Sequence, residues 1–527
     1  MYRIIEHFLL SRKLQSTSDK RLVHQSIRAK AVNLHQAIPQ TTTSILTVVT
    51  TAMISCSSFF LTTQSAKAAV GPYCQFAPEE VEAKEKLLKA SLAKEQTTPE
   101  YDAIVQQHRE MLQLCRSQTW PEEQAIWLRL YPCDISPGSI DHVLDRIVNL
   151  GYSKIHLEVF YDSQVLLPPA DNPTPWVSVV RSPEGDNIDL LQQVIDKGRQ
   201  RGLQVYAWLF TMNFGYTYAQ RSDRQEALAR NGTGENSLTY VHDRSQAFID
   251  PYSRQAQTDY YNLVEAVLKR QPDGILFDYV RYPRGIGGQS LVNSVKDLWI
   301  YGKSSLNALY NRASNKKELA LIKKYIDKGN LTAQDIEIAD QLYPNESIAM
   351  WQDRHHTLDS KTPTSSRHSQ LKQELWFFSV AHAVQGVIDF LSLAAKQAQN
   401  RQLPVGTVFF PDANRSVGST GFDSRLQAWD KFPTDLEWHP MAYGICQEET
   451  YCVTEQIESV LKTAPKTTKV IPALAGAWGK AYRQHLPLET QIEALRKATP
   501  EVNSISHFSY AWQEPDLDRQ RKSCDFL

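Results

Sequence analysis

Pro272-Asp273-Gly274-Ile275-Leu276-Phe277-Asp278-Tyr279-Val280-Arg281-Tyr282-Pro283 is the stretch whose reading decides the fold. An apolar run bounded by turn formers predicts a short buried strand over Gly274–Val280. Asp278 falls near its C-terminal end, with Tyr279, Arg281 and Tyr282 just beyond. A parallel strand that delivers a carboxylate and aromatics at its C-terminal end is how a (β/α)8 barrel builds a sugar-cleaving site. The plainer reading is a core strand whose aspartate caps the next turn.

Outward from that strand the pattern alternates. Strands are predicted at Ala125–Leu130, Lys154–Phe160, Leu203–Phe210, Gly274–Val280, Val405–Phe410, Leu436–Tyr443, Lys469–Leu474 and Ile505–Tyr510. Helical segments stand between most of them, among them Ile140–Leu150, Ile188–Gln200, Ser253–Arg270, Leu375–Gln399, Thr454–Leu461 and Leu488–Lys497. Eight β/α units predict an α/β chain folded as a (β/α)8 TIM barrel over 121–527. An open doubly wound sheet would carry a glycine-rich phosphate turn after its first strand. Tyr131-Pro132-Cys133-Asp134 stands there instead. Residues 69–120 predict a helical hairpin broken at Thr97-Thr98-Pro99. Residues 284–372 read as an insertion after the fourth strand, glycine-rich, then helical and charged, and rich in Ser, Thr, Pro and His from Thr357 to Ser369.

The 527 residues carry 57 Lys and Arg against 58 Asp and Glu. The resulting charge of -1 supplies no basic field, which argues against a nucleic-acid partner. Aromatic residues make up 10%, including 11 Trp and 23 Tyr, whose flat apolar faces stack on sugar C–H groups as readily as they fill a core.

The N-terminus reads as an export signal over 1–68. A basic leader (Arg3, Arg12, Lys13, Lys20, Arg21, Arg28, Lys30) precedes an apolar stretch from Ile45 to Leu61. Ala66 and Ala68 then fit the small-x-small rule, with cleavage after Ala68. The alternative is an uncleaved anchor formed by 44–62, and membrane contact is expected only through that segment and only if it is not cleaved. Cys56 lacks a lipobox context. Six cysteines remain after cleavage: Cys74, Cys115, Cys133, Cys446, Cys452 and Cys524. An even set in an exported chain predicts disulfides, with Cys446–Cys452 the pair chosen; Cys74 and Cys115 bracket a helical segment. No zinc-type spacing is present. His355-His356 are read as surface or core residues, and no metal or cofactor is implied.

Several segments together resemble the glycosyl-hydrolase-like family 10, bacterial exported (β/α)8 barrels. They are Ala125-Ile126-Trp127-Leu128, His156-Leu157-Glu158-Val159 with Asp162-Ser163, Val205-Tyr206-Ala207-Trp208, Phe248-Ile249-Asp250-Pro251, Asp273 to Asp278 with Tyr282-Pro283, and His439 to Tyr443. The likeness runs from about 120 to 515. The family often carries two adjacent acids in its fourth strand, whereas Asp278 is followed here by Tyr279. That form is closer to a sister group of glycosyl hydrolases. The resemblance implies a polysaccharide substrate, with bacterial cell-wall glycan among the candidates.

Cleaving a glycosidic bond needs two carboxyl groups, one to protonate the leaving oxygen and one to attack the anomeric carbon or activate water. Asp278 is the first candidate, as nucleophile or base, with Arg281 placed to keep it ionised. Glu158, inside an apolar strand, is the leading partner, because burial raises a carboxyl toward proton donation. Its alternative is an interior glutamate paired with Arg129 or Arg281. Asp412 and Glu514, each just past a strand end, are further candidates for the second acid. Asp250 reads as a helix cap with a sugar contact second. Asp273 and Glu437, early in their strands, read as structural. Trp208, Tyr279, Tyr282, Tyr443, Trp478 and Trp512 fall at or beyond strand ends and predict a stacking platform. The function expected is an exported glycoside hydrolase. The alternative is a barrel without catalysis that binds carbohydrate or serves as an envelope scaffold.

Overall fold

Strand Lys154–Tyr161 is buried along all eight of its residues, as a strand covered on both faces must be. The computed structural model describes residues 70–525 apart from 242, 353, 355–361 and 448. The predicted signal segment and His355-His356 lie outside the described residues. Within them, eight parallel strands close on themselves: β1 (Glu123–Leu128), β2 (Lys154–Tyr161), β3 (Gln204–Phe210), β4 (Gly274–Asp278), β5 (Val405–Phe409), β6 (Glu437–Ala442), β7 (Ala473–Ala475) and β8 (Ser504–Phe508). Each pairs with its neighbours in sequence, and β1 pairs with both β2 and β8, so the eight strands form a closed ring. This is the (β/α)8 barrel the sequence predicts, with strand boundaries shifted by a few residues. The largest shift is in β7. It begins at Ala473, because Pro472 has no N–H to give the ladder; Val470 makes only an isolated bridge to Trp438.

The register sets which residues share a level. Glu158 stands beside Trp208, Phe210 beside Asp278, and Ala475 beside Phe508. Low in the barrel Tyr206 stands beside Gly274, and a Cβ on Gly274 would lie 2.6 Å from that buried ring. Lys154 covers the ring's face at 4.5 Å. Gly274→Ala should therefore cost about 1–3 kcal/mol of stability, read as a lowered midpoint in urea or heat. An unchanged midpoint would mean the ring has room to move.

The appendage is the predicted hairpin of α1 (Pro78–Ala93) and α2 (Pro99–Arg116), with the break where expected: the Thr98 side chain accepts from the Tyr101 N–H at the start of α2. It docks on α3 (Ser139–Asn149) through Asp145, which accepts from the Tyr101 hydroxyl at 2.7 Å and from the Arg201 Nε at 2.9 Å. Cysteines pair as Cys74–Cys115, Cys133–Cys524 and Cys446–Cys452, with Cα separations of 5.8, 5.3 and 5.9 Å. The second pair ties the loop after β1 to the C-terminal segment, a contact between residues 391 positions apart.

Next around the ring come α4 (Leu190–Gln200) and α5 (Arg254–Leu268). The insertion after β4 holds α6 (Lys303–Tyr310), α7 (Lys316–Lys328) and α8 (Ala333–Leu342). Its end differs from expectation. Helix α9 spans Thr364–Gln399, so it starts well before the expected Leu375 and takes in the Ser- and His-containing residues from Thr364 onward. The cause is tertiary: Arg367 reaches Asp340 of α8 at 2.7 Å and Leu371 is buried. Among the described residues α9 is the helix long and apolar enough to cross a membrane, and most of its apolar window is buried inside the protein, as in a core helix. Helices α10 (Tyr451–Thr463), α11 (Leu488–Ala498) and α12 (Pro515–Ser523) complete the ring. A small sheet missed by the sequence reading joins Leu291–Val292 to Gly421–Asp423 and Ser416–Val417. Its strands are too short to show a period of two.

Candidate active site

A cavity of about 210 Å³ opens at the C-terminal end of the barrel. Asp278 closes β4 and reaches it. One carboxylate oxygen accepts from the Trp208 Nε1–H at 3.2 Å, the other from the Tyr279 N–H at 2.6 Å. The second bond is the turn-capping contact of the plainer reading, so the aspartate caps the turn and lines the cavity at once. Tyr279 adopts φ +52, a left-handed conformation a tyrosine rarely takes. That turn stacks its ring on Phe210, centroids 4.1 Å apart, with the Arg281 guanidinium 4.5 Å from its centroid.

Glu158, on the same cavity, is held by both Nε and Nη2 of Arg129, the latter at 3.0 Å. The Arg129 side chain is 39% exposed and the Glu158 side chain fully buried. The glutamate is thus both a cavity residue and the partner of Arg129. Burial pushes its carboxyl up to about 7, against the opposing pull of Arg129; Asp162 and Asp278 push it the same way as burial. Burial likewise raises Asp278 to about 6. The Tyr279 N–H, Arg281 and Trp208 oppose that rise without cancelling it, so Arg281 does not hold this acid in the ordinary carboxylate range as expected. Its Nη1 donates instead to the Tyr282 carbonyl at 3.0 Å.

The walls are aromatic. Trp127 and Trp208 meet edge to face at 4.7 Å, and Phe210, Tyr279, Phe410, Met441, Tyr443 and Phe508 complete the lining. Of the predicted residues, Asp278, Glu158, Trp208, Tyr279, Arg281 and Tyr443 converge here. Trp127, Phe210, Phe410, Met441 and Phe508 were missed. Period two would have found several, since Phe210 follows Trp208 by two and Met441 precedes Tyr443 by two.

The other predicted residues lie elsewhere. Asp412 pairs with Arg415 at 2.8 Å and Arg425 at 3.2 Å. Glu514 pairs with Arg146 of α3 at 2.5 Å. Tyr282 is wholly buried, its hydroxyl turned to the Ala383 carbonyl of α9. Trp478 packs on Tyr73 and donates to the Tyr152 hydroxyl at 3.0 Å. Trp512 stands just outside the cavity, edge-on to Phe508 at 5.8 Å. Asp250 does not cap α5, whose cap is Ser253. It accepts from the Tyr252 N–H at 3.0 Å and from the Ser305 N–H of α6 at 2.9 Å, fastening the insertion to the barrel. Asp273 accepts from the Val205 N–H at 2.8 Å, and Glu437 pairs with Lys469 at 3.4 Å, both away from the cavity. Among the described residues no cluster of three or more His, Cys, Asp or Glu is arranged to hold a metal ion.

Comparison with known proteins agrees with the sequence resemblance. Residues 137–333 match the model of the family described as Glycosyl hydrolase-like 10, a span that includes β2, β3 and β4 and so both Glu158 and Asp278. The glycosyl hydrolase DigH of Escherichia coli (strain K12) is 22% identical over 259 residues, 47% of this chain and 55% of that protein. The chain therefore spans about half the length of the curated relatives it matches. Among solved structures, a GH18 chitinase from Pseudoalteromonas aurantia is 9% identical with a TM-score of 0.34, covering 76% of this chain and 98% of that one. A beta-galactosidase from the psychrophilic Marinomonas ef1 is 10% identical with a TM-score of 0.43, covering 76% and 58%. The barrel assignment rests on the strand order rather than on these two.

Proposed function

We propose that this chain is a glycoside hydrolase that cleaves the O-glycosyl bonds of a polysaccharide, with Glu158 and Asp278 as its two acids. One observation carries the reading: two carboxyl groups from different strands line one aromatic-walled cavity at the C-terminal end of the barrel, both raised toward neutrality by burial. Glu158, the higher of the two, keeps its proton and gives it to the leaving oxygen. Arg129 aims its carboxyl and stabilises the anion left behind. Asp278, the lower, meets the anomeric carbon or its attacking water as a carboxylate. Trp127, Trp208 and Tyr443 wall the cavity that receives the sugar. Three disulfides fit an oxidising compartment, and with the predicted signal they support export to the periplasm or beyond. Family likeness favours cell-wall glycan or a secreted polymer as the substrate.

The test is to incubate the mature protein with peptidoglycan strands and a panel of bacterial and plant polysaccharides, and to quantify new reducing ends. The grip of Arg129 on Glu158 favours a second reading, a barrel that binds glycan without cutting it. No reducing ends from any substrate, with equal glycan binding by wild type and Asp278→Asn, would establish that reading instead.

A further inference from the structure

Beyond the cavity, the loop after β7 forms a tight hairpin. Tyr482 and His485 exchange both backbone hydrogen bonds, at 3.0 and 2.9 Å. Arg483 and Gln484 between them have φ +47 and +69, the paired left-handed residues of a two-residue turn whose twist matches its strands. Such a turn is stiff, so what it carries is held in place. Loops that follow barrel strands lie on the C-terminal face, as does Trp512, which follows β8.

The hairpin and Trp512 make a second aromatic cluster. Trp512 is edge-on to the cavity residue Phe508 at 5.8 Å, Tyr482 lies 5.1 Å from Trp512, and His485 lies 5.6 Å from it. All three rings are partly exposed. The Arg483 guanidinium sits 5.5 Å from the Tyr482 centroid and 5.3 Å from that of Trp512, and the residue is exposed. Lys480 is exposed on the same loop. Neither cation has a carboxylate partner among the described residues. Glu489, at the base of the loop, accepts from the Gly479 N–H at 3.1 Å. A guanidinium resting on rings keeps its edge free, and that planar edge matches an oxyanion with two parallel hydrogen bonds.

We propose that Tyr482, Arg483 and Trp512 form a further sugar subsite beside the cavity, in which Arg483 selects a glycan bearing an anionic substituent, a carboxylate or a sulfate. The proposal rests on the glycan-cleft reading given above. It makes the rings the platform for a neighbouring sugar and the arginine the reader of its charge.

Affinity electrophoresis tests it with Asp278→Asn as the background, so that glycan is bound without being cut. The gels contain a neutral N-acetylglucosamine oligomer, polygalacturonate or a sulfated galactan. Retardation by an acidic glycan is expected, with Arg483→Gln and Trp512→Ala each weakening it at least fivefold and Arg483→Lys restoring part of it. The arm that responds separates carboxylate from sulfate. Unchanged acidic binding in Arg483→Gln, or binding confined to the neutral oligomer, overturns the subsite and leaves the cleft standing. No retardation by any glycan overturns the subsite, and if wild type also cleaves none, the cleft reading falls with it.

Discussion

Asp278→Asn is expected to lower glycan cleavage by about a thousandfold or more while glycan binding persists. An amide can neither attack an anomeric carbon nor accept a proton from water, and a positioned group in this role is worth roughly 10²–10⁴ in rate. The same substitution should stabilise the fold at alkaline pH. Asp278 titrates at about 6 in the folded chain against 3.8 for a free side chain, so the folded state binds the proton more tightly. Stability therefore falls as pH rises through that window and is lowest above it. That rise in the Asp278 pKa corresponds to about 3 kcal/mol. An amide N–H2 facing the Trp208 or Tyr279 donor offsets roughly 1 kcal/mol of that gain. Thermal unfolding at pH 8 should show the variant melting above wild type, and at pH 4 the advantage should be gone. Full cleavage by the variant would remove Asp278 from the chemistry.

The barrel was legible because its strands are buried on both faces, and the apolar runs at Leu157–Phe160 and Ile275–Phe277 stand out from any surface pattern. Asp278 and Glu158 were legible for the same reason, as acids inside or ending such runs. Asp412 and Glu514 also follow strand ends. Asp412 is taken up by Arg415, three residues along, and by the more distant Arg425, and Glu514 by Arg146 of α3; no local rule locates the two distant arginines. Tyr282 was misplaced by one backbone torsion. The left-handed turn at Tyr279 sends the chain under α9, and a sequence rule that expects glycine there cannot see it. Trp478 was misplaced by the segment before α1, whose Tyr73 takes up its ring. The start of α9 escaped because tertiary contacts outweighed the weak propensity of its Ser and Thr residues.

Glu158→Gln is the sharper test of how the two acids divide their work. With Asp278 near 6 and Glu158 near 7, the wild-type kcat/KM should follow a bell against pH, with its maximum between them. The two groups interact, so the limbs belong to the pair rather than to either residue alone. A glutamine has no proton to give, so cleavage of a natural glycan should fall by about 10²–10⁴ and the alkaline limb should vanish. A substrate with a nitrophenol leaving group needs no protonation and should lose far less. Arg129→Met moves the limb the other way. Removing the cation leaves burial unopposed, the carboxyl climbs above about 7, and the enzyme stays active to higher pH. An alkaline limb that survives in Glu158→Gln would give the proton to another group. A limb unmoved in Arg129→Met would mean that the arginine sets the position of the acid and not its charge. Either result can be read from one set of initial rates taken between pH 5 and pH 9.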